Sequence, residues 1–551
     1  MEVQHLGPRF RVRRPAPAGL PGRISKRKQS RSFLFYMSNA FAEGLEKTFS
    51  ERNAFTENGA VGYASSGTAL ADFVFKISSY RNASDNKIGE DFGKVFKENP
   101  RLAIKAMFMA GDIRDGMGER RVFKVCLQYL LKQDRTDILE RIIGLIPHYN
   151  RWDTAVEFVF NEKTSETALE LVAGQFGRDL ADCRAGKPIS LLAKWMPSVN
   201  TSSRETVRKG RALAEKMGLS EKDYRKALAE LRKHLHVVET LTCAGRWSEI
   251  DYNAVPSKAN LLYKDAFLKH DEARRAAYIE ALQNGSAKIN SSVAFPYDIV
   301  HKYTDLEQED AALEQMWKAL PDFTEGKGGE TICIVDGSGS MTAPIGRTQV
   351  TALEAANSLG IYFAEKMVGA FHNMFITFSQ NPELVSFGDD WSLARKLEYA
   401  YSHDDCSNTN LRKAFDLILQ TAVRNGLKQA DLPKTVLVLS DMEFDGALAD
   451  INYCDSDKFQ VGLTTLFDRI REDYAAHGFI MPKLVFWNLG SRTEVIPIRE
   501  NEMGVALISG FSPTISSMVF TQKTDPYEAI IEKLESERYD RVEAALAGLK
   551  I

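Results

Sequence analysis

No run in these 551 residues approaches the roughly 18 consecutive apolar positions of a membrane-spanning helix, so none is predicted. Cysteine is scarce and scattered: Cys126, Cys183, Cys243, Cys333, Cys406 and Cys454 form no Cys-x-x-Cys pair. No histidines stand at zinc spacing, which removes the common structural-zinc patterns. Free thiols in a reducing cytosol are the expectation. The sequence also lacks a Walker loop, a paired-His metal motif and a Gly-x-Gly-x-x-Gly opening a helix. Gly337-Ser-Gly-Ser340 is not a nucleophile elbow, because Asp336 stands where that motif begins with glycine. These gaps exclude most nucleotide-hydrolysing, zinc-dependent and serine-hydrolase classes. Hydrophobic content of 44% and charged content of 26% are those of an ordinary globular protein. The length calls for two or three domains.

What is present begins at Thr331-Ile-Cys-Ile-Val-Asp336, an apolar strand running into Asp336, Ser338 and Ser340 at alternate positions. A hard divalent cation takes oxygen ligands, and a carboxylate with two hydroxyls in one tight loop supplies part of such a shell. Thr409 lies in Cys406-Ser-Asn-Thr-Asn410, ahead of a helical run from Leu411. Asp441 closes Thr435-Val-Leu-Val-Leu-Ser, an apolar run typical of a buried parallel strand. In open α/β sheets ligands gather at the carboxyl ends of strands. Singly, each residue has a plain alternative as a helix cap or strand end; five in this order favour a metal site.

This Asp-x-Ser-x-Ser set with its later Thr and Asp resembles the metal-ion-dependent adhesion site of von Willebrand factor A (vWA) domains. The remainder of 326–551 fits that resemblance. Helical periodicity over Gln349–Val368, Leu411–Asn425 and Gly462–His477 alternates with apolar runs at Met374–Ser379, Lys483–Leu489 and Val505–Phe511. Helices follow at Tyr527–Leu534 and Arg538–Leu549. Such alternation argues βαβ units and a doubly wound, mostly parallel sheet. This half carries 21 Lys+Arg against 31 Asp+Glu, which suits cations and disfavours nucleic acid.

Residues 1–36 hold nine Lys/Arg against one Glu. We read them as a disordered basic leader, with a nucleic-acid arm and a targeting peptide as alternatives. A chain starting at Met37 is expected to keep its melting temperature.

Residues 37–325 read as helical throughout. Leu102–Ala110, Arg121–Lys132, Ile138–Pro147 and Thr154–Phe160 place apolar residues at i, i+3, i+4 spacing. Helices of this length with short polar turns predict an α-solenoid of stacked pairs. His148-Tyr-Asn-Arg-Trp-Asp-Thr and Cys243-Ala-Gly-Arg-Trp-Ser-Glu form a faint internal echo. From Lys187 to Val238 there are twelve Lys/Arg and five Asp/Glu. Arg204, Arg208 and Arg211 share one helical face, as do Lys222, Lys226 and Lys233. Such stripes make salt-sensitive phosphate contacts; the alternative is a solvated face balanced by neighbouring acids.

Asn99-Pro-Arg-Leu, Gly111-Asp-Ile-Arg-Asp-Gly-Met-Gly-Glu-Arg-Arg121, Tyr149-Asn-Arg-Trp-Asp153 and Leu192-Ala-Lys-Trp-Met-Pro-Ser198 resemble a poorly characterised family that couples helical repeats to a C-terminal vWA domain. That family is similar to the TROVE/Ro-like proteins. The resemblance implies a HEAT-like, TROVE-like region over 37–325 and a vWA domain over 326–551. It also implies a cytoplasmic, non-catalytic ribonucleoprotein component that binds structured or misfolded non-coding RNA. Its cation is expected to be Mg²⁺, with Mn²⁺ and Ca²⁺ as alternatives. A second reading is a protein-interaction scaffold, without RNA, whose metal captures an acidic residue of a partner. A third, less favoured, is a metal-dependent hydrolase using Glu443 and Asp445 beside Asp441.

Overall fold

The computed structural model describes residues 54–55, 61–62, 64–303, 306, 308–324, 330–346, 348–378, 381–404, 411–443, 463–492, 505–519 and 525–551. The leader 1–36, Thr409 and Asp445 lie outside the described residues. Phe49–Ile551 form one compact unit. A helical N-terminal region is followed by a mixed six-stranded sheet, an α plus α/β arrangement.

The helical region opens with α1 (Ala69–Phe75), α2 (Asp85–Glu98), α3 (Pro100–Gly111), α4 (Arg120–Lys132) and α5 (Thr136–Ile142). Asn99-Pro100 both ends α2 and starts α3. The Asn99 side chain accepts the Leu102 N–H at 3.1 Å, and Pro100 sits at a first-turn position where an N–H has no partner to lose. Ala103 through Ala110 are all buried, so beyond its first turn α3 is a central helix, apolar on every side except for Lys105. Further along run α6 (Ser165–Arg184), α7 (Arg204–Lys216) and α8 (Glu221–His234), the last two capped by Ser203 and Ser220. One departure from an all-helical reading is a two-residue antiparallel pair, Ala54–Phe55 with Val61–Gly62.

The sheet comprises β1 (Thr331–Asp336), β2 (Met374–Phe378), β3 (Leu384–Ser386), β4 (Thr435–Ser440), β5 (Lys483–Asn488) and β6 (Val505–Ser509). Their spatial order is β3-β2-β1-β4-β5-β6, all parallel except the β2–β3 edge pair. Between them lie α9 (Ala352–Lys366), α10 (Leu393–Tyr401), α11 (Leu411–Arg424) and α12 (Leu463–Ala476); α13 (Pro526–Leu534) and α14 (Asp540–Leu546) end the chain. Side chains alternate across the pleat. Cys333, Val335, Leu437, Leu439, Val485 and Trp487 point to the face covered by α9. Ile332, Ile334, Val436, Val438, Leu484 and Phe486 point to the face covered by α11. Burial on both faces is why these strands read as unbroken apolar runs. The α9-side core continues without interruption into that of α2–α5, so one hydrophobic core spans both regions.

Boundaries shift where capping decides them. Thr351 and Glu354 form a capping box, so α9 starts at Ala352 rather than at Gln349. The last helix runs Asp540–Leu546, shorter than the Arg538–Leu549 periodicity, and Gly548 at φ +79° lies beyond its end.

The segment Gly111–Arg121 is the joint of the molecule. Asp112 accepts two hydrogen bonds from Arg538, and Asp115 pairs with Lys533 at 2.6 Å. The Gly116 carbonyl accepts the Thr514 hydroxyl at 2.6 Å. A Cβ on Gly116 would lie 2.2 Å from the Met109 carbonyl, so no other residue fits there. Glu119 pairs with Arg81, whose guanidinium lies over Phe511 at 4.1 Å. Ser78 donates to the Asn488 carbonyl and Asn488 to the Phe75 carbonyl, seating α1 on the ends of β5 and β6. The carboxyl ends of β1 and β4 are the ones that carry Asp336 and Asp441.

Candidate metal centre

Asp336 ends β1 and Ser440 ends β4, and the parallel register sets them side by side. The Ser440 hydroxyl donates to Asp336 Oδ2 at 2.5 Å, while Asp336 Oδ1 accepts the Ser338 N–H at 3.0 Å. Ser338 and Ser340 place their hydroxyl oxygens 3.0 Å apart on the loop above. Asp441 follows β4 directly. Its Oδ1 accepts the Glu443 N–H at 3.1 Å, and Arg492 Nη2 stands 3.5 Å from its Oδ2. Four of the five residues singled out in the sequence therefore converge at one sheet end, and the fifth, Thr409, is outside the described residues.

The electrostatics are those of a crowded acid pair. Asp336 is almost wholly buried, and its carboxyl is pushed up to about 7 by burial first and by the Asp441 charge second. The Ser440 and Ser338 hydrogen bonds oppose that rise. Asp441 is raised too, by burial and then by Glu443; the Glu443 N–H, the Ser340 hydroxyl and Arg492 act the other way. Met442, next in sequence, holds φ at +65°, an unfavourable conformation for an unbranched side chain. Its N–H is held by the Ser440 hydroxyl at 3.0 Å. This left-handed turn directly follows Asp441 at the end of β4.

Further residues complete the surroundings. A Cβ at Gly337 would fall 2.6 Å from Asp404 Oδ1, so glycine is what lets Asp404 approach the loop. Asp404 Oδ2 accepts the Asn357 amide at 3.0 Å, and Asn357 Oδ1 is buried without a hydrogen-bond partner among the described residues. Asp404 escaped the sequence reading, although it stands just before the Cys406–Asn410 segment. Glu443 is buried and accepts from the Ser491 hydroxyl at 3.1 Å and the Arg492 N–H at 2.7 Å, which ties the loops after β4 and β5 together.

The donor set is two carboxylates and two hydroxyls, all hard oxygens, and it fits Mg²⁺ or a similar divalent cation. Among the described residues no three of His, Cys, Asp and Glu form a metal-binding group, so a cation here would draw on the serine hydroxyls beside the acid pair.

The basic stripe residues fall on neighbouring helices, Arg204, Arg208 and Arg211 on α7 and Lys222, Lys226 and Lys233 on α8, all exposed. Arg211 pairs with Glu221 at 3.1 Å, and the nearby Lys209 with Glu205. The other five stripe cations form no ion pair with a described residue. The two echo segments do different work: Arg151 stacks on Trp195 at 3.8 Å, whereas Arg246 pairs with Glu249 and Trp247 stacks on His270.

Comparison with known proteins follows the same division of the chain. Residues 330–546 match a domain of unknown function, DUF7788, and residues 166–326 match another, DUF2828. The chain is also similar to the uncharacterized protein L728 of Acanthamoeba polyphaga mimivirus. The two are 27% identical over 519 residues, covering 88% of this chain and 87% of the viral protein. The similarity thus spans both the helical region and the sheet. Among the described residues no helix is long and apolar enough to cross a membrane.

Proposed function

We propose that this is a binding protein rather than an enzyme: a vWA-type domain that holds one divalent cation, carried on a TROVE-like, HEAT-like helical region that binds structured or misfolded RNA in the cytoplasm. The observation that carries the cation assignment is the meeting of Asp336, Ser338, Ser340 and Asp441 at one sheet end. Two carboxylates raised first by burial, with Asp336 raised further by the charge of Asp441 and Asp441 by that of Glu443, have a strong electrostatic reason to take up a cation. Asp336 and Asp441 would supply its charge neutralisation, and Ser338, Ser340 and Thr409 its neutral oxygens. The ion, Mg²⁺ above Mn²⁺ or Ca²⁺, would offer a coordination position to an acidic group of a partner. A non-catalytic role is supported by Glu443, whose carboxylate is occupied by Ser491 and the Arg492 backbone.

The RNA assignment rests on the exposed cations of α7 and α8. Calorimetry of Mg²⁺ binding to the wild type and to Asp336→Ala tests the cation. Unchanged affinity in the variant would remove it. Filter binding of a structured RNA at two salt concentrations tests the helical face, because phosphate contacts release counterions and weaken steeply with salt. Changing Arg204, Arg208 and Arg211 to Glu should abolish most of that binding and leave Mg²⁺ affinity alone. The second reading, an interaction scaffold without RNA, draws support from the Arg211–Glu221 and Lys209–Glu205 pairs, which partly neutralise the stripe. Equal RNA affinity of wild type and triple variant would favour it.

A further inference from the structure

A cleft of about 470 Å³ opens between α8 and the segment that follows it. Arg225, Ala229, Arg232, Lys233 and His236 line one wall, at spacings of three and four residues that put them on one face of α8 and its end. The facing wall comes from the helix Val238–Cys243, the turn carrying Arg246 and Glu249, and the irregular stretch Ser198–Asn200. Four permanent cations (Arg225, Arg232, Lys233 and Arg246) thus face one carboxylate, Glu249, and that carboxylate is taken by Arg246.

Arg232 is the built part of this site. Its Nε donates to the Ala193 carbonyl at 2.8 Å, Nη1 to the Ser198 hydroxyl at 2.7 Å and Nη2 to the Met196 carbonyl at 2.7 Å. Every partner is neutral. A half-buried guanidinium is therefore fixed at the cleft without a counter-ion among the described residues, and burial lowers its pKa. Arg225 and Lys233 are exposed and form no ion pair with a described residue. Leu228, Val237, Leu241 and Val199 supply an apolar surface between the charges. A plain account exists for part of this charge, since cations suit the end of α8. It does not explain Arg225, two turns earlier, or Arg246 on the opposite wall.

Two other cavities among the described residues lack this bias. The groove between α11 and α12 sets Arg412 and Arg424 against Asp416 and Asp473 and is balanced. The small cleft by Lys124 and Glu157 holds an ion pair between those two residues.

We propose that the α8 cleft binds a nucleotide, its phosphate among Arg225, Lys233 and Arg232 and its base against the Leu228–Leu241 surface. The volume falls within the range of small-ligand pockets. Planar guanidinium groups suit phosphate oxygens, and an apolar floor suits a base better than it suits a bare anion. The ligand is either a free ribonucleotide or one nucleotide of an RNA strand. Lys233 belongs to both the cleft and the exposed stripe of α8, so a strand on the stripe passes the cleft mouth. In that second form the inference rests on the RNA reading.

The test is calorimetry of the full chain with UMP, AMP, inorganic phosphate and a single-stranded oligoribonucleotide, for wild type, the Arg225→Glu/Lys233→Glu variant and the α7 triple-Glu variant. Reversing two exposed charges that form no ion pair with a described residue should leave the melting temperature unchanged. If it does not, Arg225→Gln/Lys233→Gln replaces that variant. Mononucleotide binding lost about tenfold or more in the cleft variant supports the proposal with free nucleotide as ligand. Oligoribonucleotide binding alone, lost to the same extent, supports it with RNA as ligand. Nucleotide binding without any RNA binding keeps the cleft and removes the RNA reading. RNA binding that falls in the α7 variant but not in the cleft variant, with no mononucleotide bound, overturns the cleft and keeps the RNA reading. No binding of either kind, or phosphate bound as tightly as UMP and AMP, overturns the nucleotide site.

Discussion

Arg538 grips Asp112 through two hydrogen bonds, Nε to Oδ2 at 2.6 Å and Nη2 to Oδ1 at 2.9 Å. Asp112 is fully buried at the end of α3, and Arg538 precedes α14, so the pair joins the helical region to the end of the chain. Removing one partner of such a pair leaves the other charge uncompensated. Asp112→Ala should therefore cost about 3 kcal/mol of stability, read as a lowered urea midpoint. A midpoint unchanged from wild type would show that the clamp is dispensable.

A second expectation concerns Gly337. Gly337→Ala would put its Cβ 2.6 Å from Asp404 Oδ1 and 3.3 Å from Asp404 Cα, forcing that side chain away and loosening its hold on Asn357. Mg²⁺ affinity should fall about tenfold, as changes around metal ligands commonly do. Calorimetry of the alanine variant checks it, and wild-type affinity would contradict it.

The acid pair gives stability a pH dependence of definite sign. In the cation-free protein Asp336 titrates at about 7, above the roughly 3.9 of an unfolded aspartate. A raised folded value means that the native state prefers the proton, so the stability from this carboxyl is full at low pH and lost as pH rises through about 7. Melting temperature in EDTA should fall from pH 5 to pH 8. Mg²⁺ competes with that proton, so its stabilising effect should be larger at pH 8 than at pH 5. Asp336→Asn should flatten both trends. A Mg²⁺ effect that is equal at the two pH values would contradict this account.

A chain beginning at residue 326 should not fold well. It would lack Ser78, which hydrogen-bonds to the ends of β5 and β6, and Asp112 and Asp115, which hold Arg538 and Lys533. Circular dichroism and size-exclusion chromatography of that fragment should show loss of structure or aggregation; a monomer with a sharp melt would refute this.

Five of the six sheet strands were legible because burial on both faces makes them continuous apolar runs, as in Val436–Leu439. β3 was not, since it has three residues and Leu384 and Ser386 are exposed. Asp336, Ser338 and Ser340 were legible as one local motif, and Asp441 because it directly follows a second apolar strand run. Asp404, Asn357 and Ser440 were not, because their roles arise from approaches made across the fold. The segment Gly111–Arg121 stood out in the sequence as a family-like signature. Its use as a joint to Arg538, Lys533 and Thr514 could be seen only once residues some 400 positions away had come beside it. The α8 cleft was half legible: Lys233 belongs to the stripe, whereas Arg246 reaches the cleft from the next helix and turn.

The uninterrupted core shared by α2–α5 and the sheet has a thermodynamic consequence. Sites built on a common core draw on one unfolding equilibrium, so each is a reporter of the other. A ligand held at the strand ends at a hundred times its Kd deepens the native well by about 2.7 kcal/mol. Wherever opening of the helical region requires that core to come apart, the same increment slows hydrogen exchange in α3. Occupancy at the acid pair can therefore be read from amides in a helix that touches neither Asp336 nor Asp441.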